Sequence, residues 1–114
     1  MCYFSARLLI VCLVDDGKSR KKNTCDYPFF LIQAKDHEEA FQRALELGKK
    51  QETRYENDKG QAVRWAFVRV EEVKALPQCL NGVEVGSLLD VLVTEKRMPF
   101  KQSFSPKNHR PLLT

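Results

Sequence analysis

Between residues 27 and 70 the chain passes from a strand pattern into a capped helix and then into a hairpin. This succession constrains the fold more than any other feature. Phe29, Phe30, Leu31 and Ile32 make residues 27–34 a strand, with Pro28 near its start, where a missing backbone donor is tolerated, above all on an edge. Asp36-His37-Glu38-Glu39 then opens a helix. Asp36 is placed to cap the first free amides and Glu39 to reach back, as in a capping box. Ala40, Phe41, Ala44, Leu45 and Gly48 recur on one side, and Gly48 followed by Lys49-Lys50 reads as the stop, giving a helix over 36–48. A short polar strand over 52–56, a turn at Asn57-Asp58-Lys59-Gly60 and a longer return strand over 61–76 complete the hairpin.

The N-terminal residues 3–14 add a long strand, with Phe4, Ala6, Leu8, Ile10, Cys12 and Val14 forming a wholly apolar alternate set. Residues 15–26 are polar and turn-rich and are expected as an exposed connection. A short link between two strand runs makes an antiparallel hairpin the simplest arrangement. Residues 83–94 fit either a last strand, through Val83, Val85, Val91, Leu92 and Val93, or a short helix around Ser87-Leu88-Leu89-Asp90. The expected architecture is therefore α+β. One amphipathic helix packs on a mainly antiparallel sheet of four or five strands, in the order ββαββ plus a final strand or short helix. It forms one domain over residues 1–95, followed by a basic, proline-containing tail over 96–114. Such a tail is usually mobile, although Phe100, Phe104, Leu112 and Leu113 could dock on a neighbour or on the domain itself.

Assembled in this way, the residues resemble an uncharacterised bacterial family, domain of unknown function 4288. The resemblance rests on the aromatic-x-Ala-x-Leu start at Tyr3-Phe4-Ser5-Ala6-Arg7-Leu8 and on Leu47-Gly48-Lys49 at the helix end. It also rests on the hairpin residues Tyr55, Asn57, Gly60, Val63, Trp65, Phe67, Val68 and Val70, and on Gly82, Glu84, Val85 and Ser87. It covers roughly residues 3–93. It implies the fold boundaries and a bacterial origin, and carries no activity that can be transferred. The basic stretch at 18–22 and the residues after Glu95 are less typical of the pattern.

At 114 residues the chain suffices for one core, so a functional site is expected as a surface patch or shallow cleft. The formal charge of +4 is unevenly placed. Residues 96–114 hold five of the 19 basic residues and no acidic one, which leaves 14 basic against 15 acidic residues before them. A nearly neutral folded part weakens a nucleic-acid reading, since such domains more often carry their excess on the folded face. Cysteines stand at 2, 12, 25 and 79 without a C-x-x-C pair. The run from Arg7 to Val14 is followed by Asp15-Asp16-Gly17, a turn, with no small-residue cleavage site, and is far too short to span a membrane. A cytoplasmic protein with reduced thiols is expected.

No catalytic residue, metal site or cofactor is assigned. His37 and His109 lack partners at metal-ligand spacing. Cys25 is the most exposed-looking thiol, but no positioned base accompanies it. Gly17-Lys18-Ser19 lacks the upstream glycine of a phosphate loop. One surface remains: Arg7, Tyr55, Trp65, Phe67 and Arg69 come from strands that could be neighbours in one sheet. Against this stands the favoured reading, in which Trp65 and Phe67 are core residues with the arginines as its fringe, since aromatics in strands usually pack inward. The chain is read as a non-enzymatic binding or adaptor module for a protein partner, of an immunity or phage-defence kind, with a homodimer through a strand edge also open. The alternative is a nucleic-acid-associated protein using Lys18, Arg20, Lys21 and Lys22 with Lys96, Arg97, Lys101, Lys107 and Arg110.

Overall fold

A computed structural model describes residues 2–77 and 87–114. They form a single α+β domain with the order β1 (Cys2–Val14), β2 (Arg20–Ala34), α1 (His37–Lys50), β3 (Thr53–Glu56), β4 (Ala62–Ala75), β5 (Ser87–Met98), a 3-10 turn (Pro106–Asn108) and β6 (Leu112–Leu113). The sheet runs β3-β4-β1-β2-β5, all antiparallel, and β6 adds a short parallel pair to β4. The long apolar β1 lies at the centre, paired to β2 on one side and β4 on the other. Residues 83–86, and with them the start of the last expected element, lie outside the described residues. The rest of that element is strand.

The helix forms where its cap was expected. Asp36 Oδ1 accepts from the Glu39 amide at 2.9 Å, whereas Glu39 Oε1 reaches back one residue further, to the amide of Lys35, at 3.4 Å. Gly48 is not the stop. The helix continues to Lys50, because Gly48 packs against the ring of Phe67, which leaves no room for a β-carbon. Its ordinary negative φ makes it an interior helical residue.

The connection after β1 is shorter than expected, because β2 begins at Arg20 and not near Tyr27. Its polar first half is held chiefly by β5, where Lys22 to Pro28 face Val93 to Ser87, and β1 joins from the other side at Cys25 and Asp26, which face Val11 and Ile10. Strand pairing overrides composition here. Pro28 therefore lies inside the sheet, and the β1–β2 ladder is interrupted between the Arg7↔Phe29 and Ile10↔Asp26 pairs, where proline offers no donor.

Each face of the sheet has its own core. On one, Phe4, Ala6, Leu8, Ile10, Ile32, Phe67, Val70 and Val73 meet Ala40, Phe41 and Ala44 of the helix. On the other, Leu9, Val11, Leu13, Cys25, Ala66 and Val68 are covered by Tyr27, Leu92, Met98, Phe100 and Phe104. The C-terminal segment supplies that second cover. Residues 96–98 complete β5, and residues 99–114 cross the second face and return along the outer edge of β4 as a strap. Arg64 fixes it by donating to the carbonyl oxygens of Phe100 (3.2 Å) and Gln102 (2.7 Å). Further on, Arg110 lies over the ring of Phe41 and bonds Glu38 at 2.8 Å.

Candidate interaction surface

The five residues grouped from the sequence do not share a face. Trp65 donates through Nε1 to the Tyr55 hydroxyl at 3.2 Å on the helix side, and Phe67 is buried in the helix-side core at 5% exposure. Arg7 and Arg69 belong to the opposite face, since Arg69 is paired with Leu9 and Arg7 lies between the inward-facing Ala6 and Leu8. The cause is a bulge. Phe67 and Arg69 stand two apart and would share a face in a regular strand, but the register shifts between Leu9 and Ile10, so β4 changes phase at Val68. Arg69 is held by Glu71 at 3.1 Å, and the Nε of Arg7 is buried without a hydrogen-bond partner among the described residues.

The basic residues behave differently. Lys21 and Lys22 open β2 beside the closing stretch of β5, which carries Lys96 and Arg97. The guanidinium of Arg97 donates to the Ser19 carbonyl oxygen at 3.1 Å. Lys18 and Lys101 line one shallow recess with Asp15, Ser19 and Phe100. Six cations from two distant segments thus meet at one end of the sheet. Arg20 is joined to Asp16, and this bond holds the Asp16 carboxyl below its ordinary range. Lys107 and Arg110 lie elsewhere, on the strap beside α1.

The surface that sequence reasoning missed is β5. It ends the sheet, and no described strand pairs with its outer edge. Leu88, Leu89, Val91 and Val93 are 52–67% exposed, whereas Leu92 and Met98 turn onto the second core. Helix α1 packs over β1, β2 and β4 and leaves this margin bare. Continuous apolar runs ordinarily signal a strand covered on both faces, so the one available signal, Val91-Leu92-Val93, pointed inward.

A cleft of about 400 Å³ opens where the strap passes the end of α1, floored by Leu45, Phe67 and Phe104 and rimmed by Lys49, Arg64 and Lys107. Reactive groups are sparse. Cys25, which looked exposed, is fully buried in the second core, because it alternates with the outward-facing Thr24 and lies opposite Val11. Burial pushes its thiol up, and that of the half-buried Cys12 likewise. His37 stacks edge-on against Phe4 with ring centres 5.0 Å apart. Among the described residues no group of three or more His, Cys, Asp and Glu side chains converges as metal ligands, and no helix is long and apolar enough to cross a membrane.

A sequence profile of the family described as "Domain of unknown function (DUF4288)" matches residues 3–87. The chain belongs to this family. Neither a curated protein nor a solved structure matches it. The DUF4288 match takes in β1 to β4 with α1 and stops at the first residue of β5, somewhat short of the 3–93 expected from the resemblance. The exposed strand and the strap that closes the second core thus follow the DUF4288 match, while the basic opening of β2 lies inside it.

Proposed function

We propose that this DUF4288 protein is a non-catalytic binding module that takes a protein partner along the outer edge of β5. The supporting observation is the exposure of Leu88, Leu89, Val91 and Val93 on a strand that ends the sheet. Exposed apolar edge strands are sites of pairing with another chain, and proteins that avoid such pairing place lysine or proline there. Val91→Lys is accordingly expected to abolish the complex recovered with the wild-type protein, while Lys107→Glu, on the strap, leaves it intact. Gel filtration with light scattering on both variants reads the outcome. An unchanged complex with Val91→Lys removes the proposal.

A second reading, nucleic-acid association, draws support from the gathering of Lys18, Lys21, Lys22, Lys96, Arg97 and Lys101 at one end. Anisotropy of a labelled single-stranded oligonucleotide across a salt series separates the two. Phosphate contacts lose roughly 10³-fold or more in affinity between low and moderate salt. An apolar interface changes little over the same range.

A further inference from the structure

Resting on the β5 reading, we infer that the occupant is an extended peptide segment that adds a strand to β5, apolar where it passes Leu89, Val91 and Val93 and acidic where it passes Lys96 and Arg97. Three observations meet in one chemistry. An open strand edge offers a row of amide donors and carbonyl acceptors that another strand satisfies fully. The exposed Leu89, Val91 and Val93 alternate along one face of β5, which asks for apolar side chains at alternate positions of the added strand. The same strand then carries Lys96 and Arg97, with Lys18, Lys21, Lys22 and Lys101 grouped beside them. Among the described residues the acidic ones nearby are few: Asp16 is taken up by Arg20, which leaves Asp15 and Glu95.

Other occupants meet only part of this. A polynucleotide would engage the cations and leave the apolar stretch bare. A second copy, paired antiparallel about Val93, would bring one carboxylate, Asp90, opposite each Lys96 and leave the remaining cations unmatched. An acidic-ended strand answers both halves of the surface, and the charge pairing at its end sets direction and register, as complementary charges do at interfaces.

The test is selection from a displayed library of random peptides of about twelve residues, the length of β5, on the immobilised wild-type protein. The enriched peptides are expected to alternate β-branched residues and to end in a run of Asp or Glu. The best of them, synthesised, should protect β5 amides from hydrogen exchange. Its affinity should fall about tenfold or more on the Lys96→Glu/Arg97→Glu variant and be lost on Val91→Lys. Both variants are checked for an unchanged melting temperature. Enriched peptides without an acidic end, or affinity unchanged by the charge reversal, overturn the inference while leaving the β5 module standing. A concentration-dependent dimer abolished by Val91→Lys does the same and makes the second copy the occupant. No enrichment together with oligonucleotide binding that needs Lys96 and Arg97 but not Val91 overturns both.

Discussion

The ring of Phe67 lies flat against the backbone of Gly48, so a β-carbon at position 48 would overlap three of its ring atoms. Phe67 is buried with Leu8, Ile10 and Ala44 in the helix-side core, so yielding to a new β-carbon means turning the ring out of that packing toward the cleft it floors. Alanine favours a helix interior over glycine by about 0.8–1.0 kcal/mol. Overpacking a core costs about 1–3 kcal/mol. Gly48→Ala is therefore expected to destabilise the fold by up to about 2 kcal/mol, against the propensity trend. Urea denaturation gives the sign, and Phe67→Leu in the Gly48→Ala background should recover part of the loss.

The hold of Arg64 on the strap gives a local prediction. Arg64→Met removes a charged donor from the carbonyls of Phe100 and Gln102 but keeps much of the side chain's apolar stem. Hydrogen bonds to charged groups contribute about 1.5–3 kcal/mol. The expected result is faster amide exchange and faster proteolysis within residues 99–105, with β1 unaffected. Equal protection in both proteins would show that Phe100 and Phe104 hold the strap unaided.

Thiol reactivity should separate the cysteines. Cys2 is exposed, whereas burial removes Cys25 from solvent and raises its thiol, and does so in part for Cys12. The thiolate is the reacting form. Under native conditions a disulfide reagent is expected to modify Cys2 quickly and Cys25 only at the rate of unfolding. Mass spectrometry of digested samples over time assigns each site.

The link between helix and strap responds to acid. Arg110 holds the Glu38 carboxyl below its ordinary range, with Gln42 assisting. A carboxyl that is lowered in the folded state contributes stability above its unfolded titration and loses it as pH falls through the folded value. Both side chains are open to solvent, so the effect on global stability is small and salt-sensitive. Arg110→Ala should move the Glu38 titration, followed by carboxyl NMR, up toward the ordinary glutamate range. No movement would mean that the ion pair is not populated in solution.

What could be read in advance follows how local the cause is. The N-cap at Asp36 and the turn at Asn57 to Gly60 are built from neighbours in sequence, and both stand where expected: Asn57 Oδ1 accepts from Lys59 and Gln61, and Gly60 takes the positive φ. Errors arise where a distant partner decides. Arg20 to Asp26 become strand because β5 runs along one side of them and β1 meets Cys25 and Asp26 on the other. Gly48 resembles a stop until Phe67, 19 residues later in the chain, requires it inside the helix. The grouping of Arg7 and Arg69 with Trp65 fails through a bulge that strict alternation cannot register. The meeting of Lys21 and Lys22 with Lys96 and Arg97 depends wholly on the β2–β5 pairing.

The two margins of the sheet are finished differently. The β4 side is occupied by β3 and β6, contributed by the chain itself, while among the described residues no strand lies on the outer side of β5. A newcomer that lines up on β5 therefore meets, at the opposite margin, only the four-residue strand β3 with its charged Arg54 and Glu56, a far poorer template for continued growth. Assembly by this route is expected to favour a closed stoichiometry, one guest per chain or a pair of chains, over a filament.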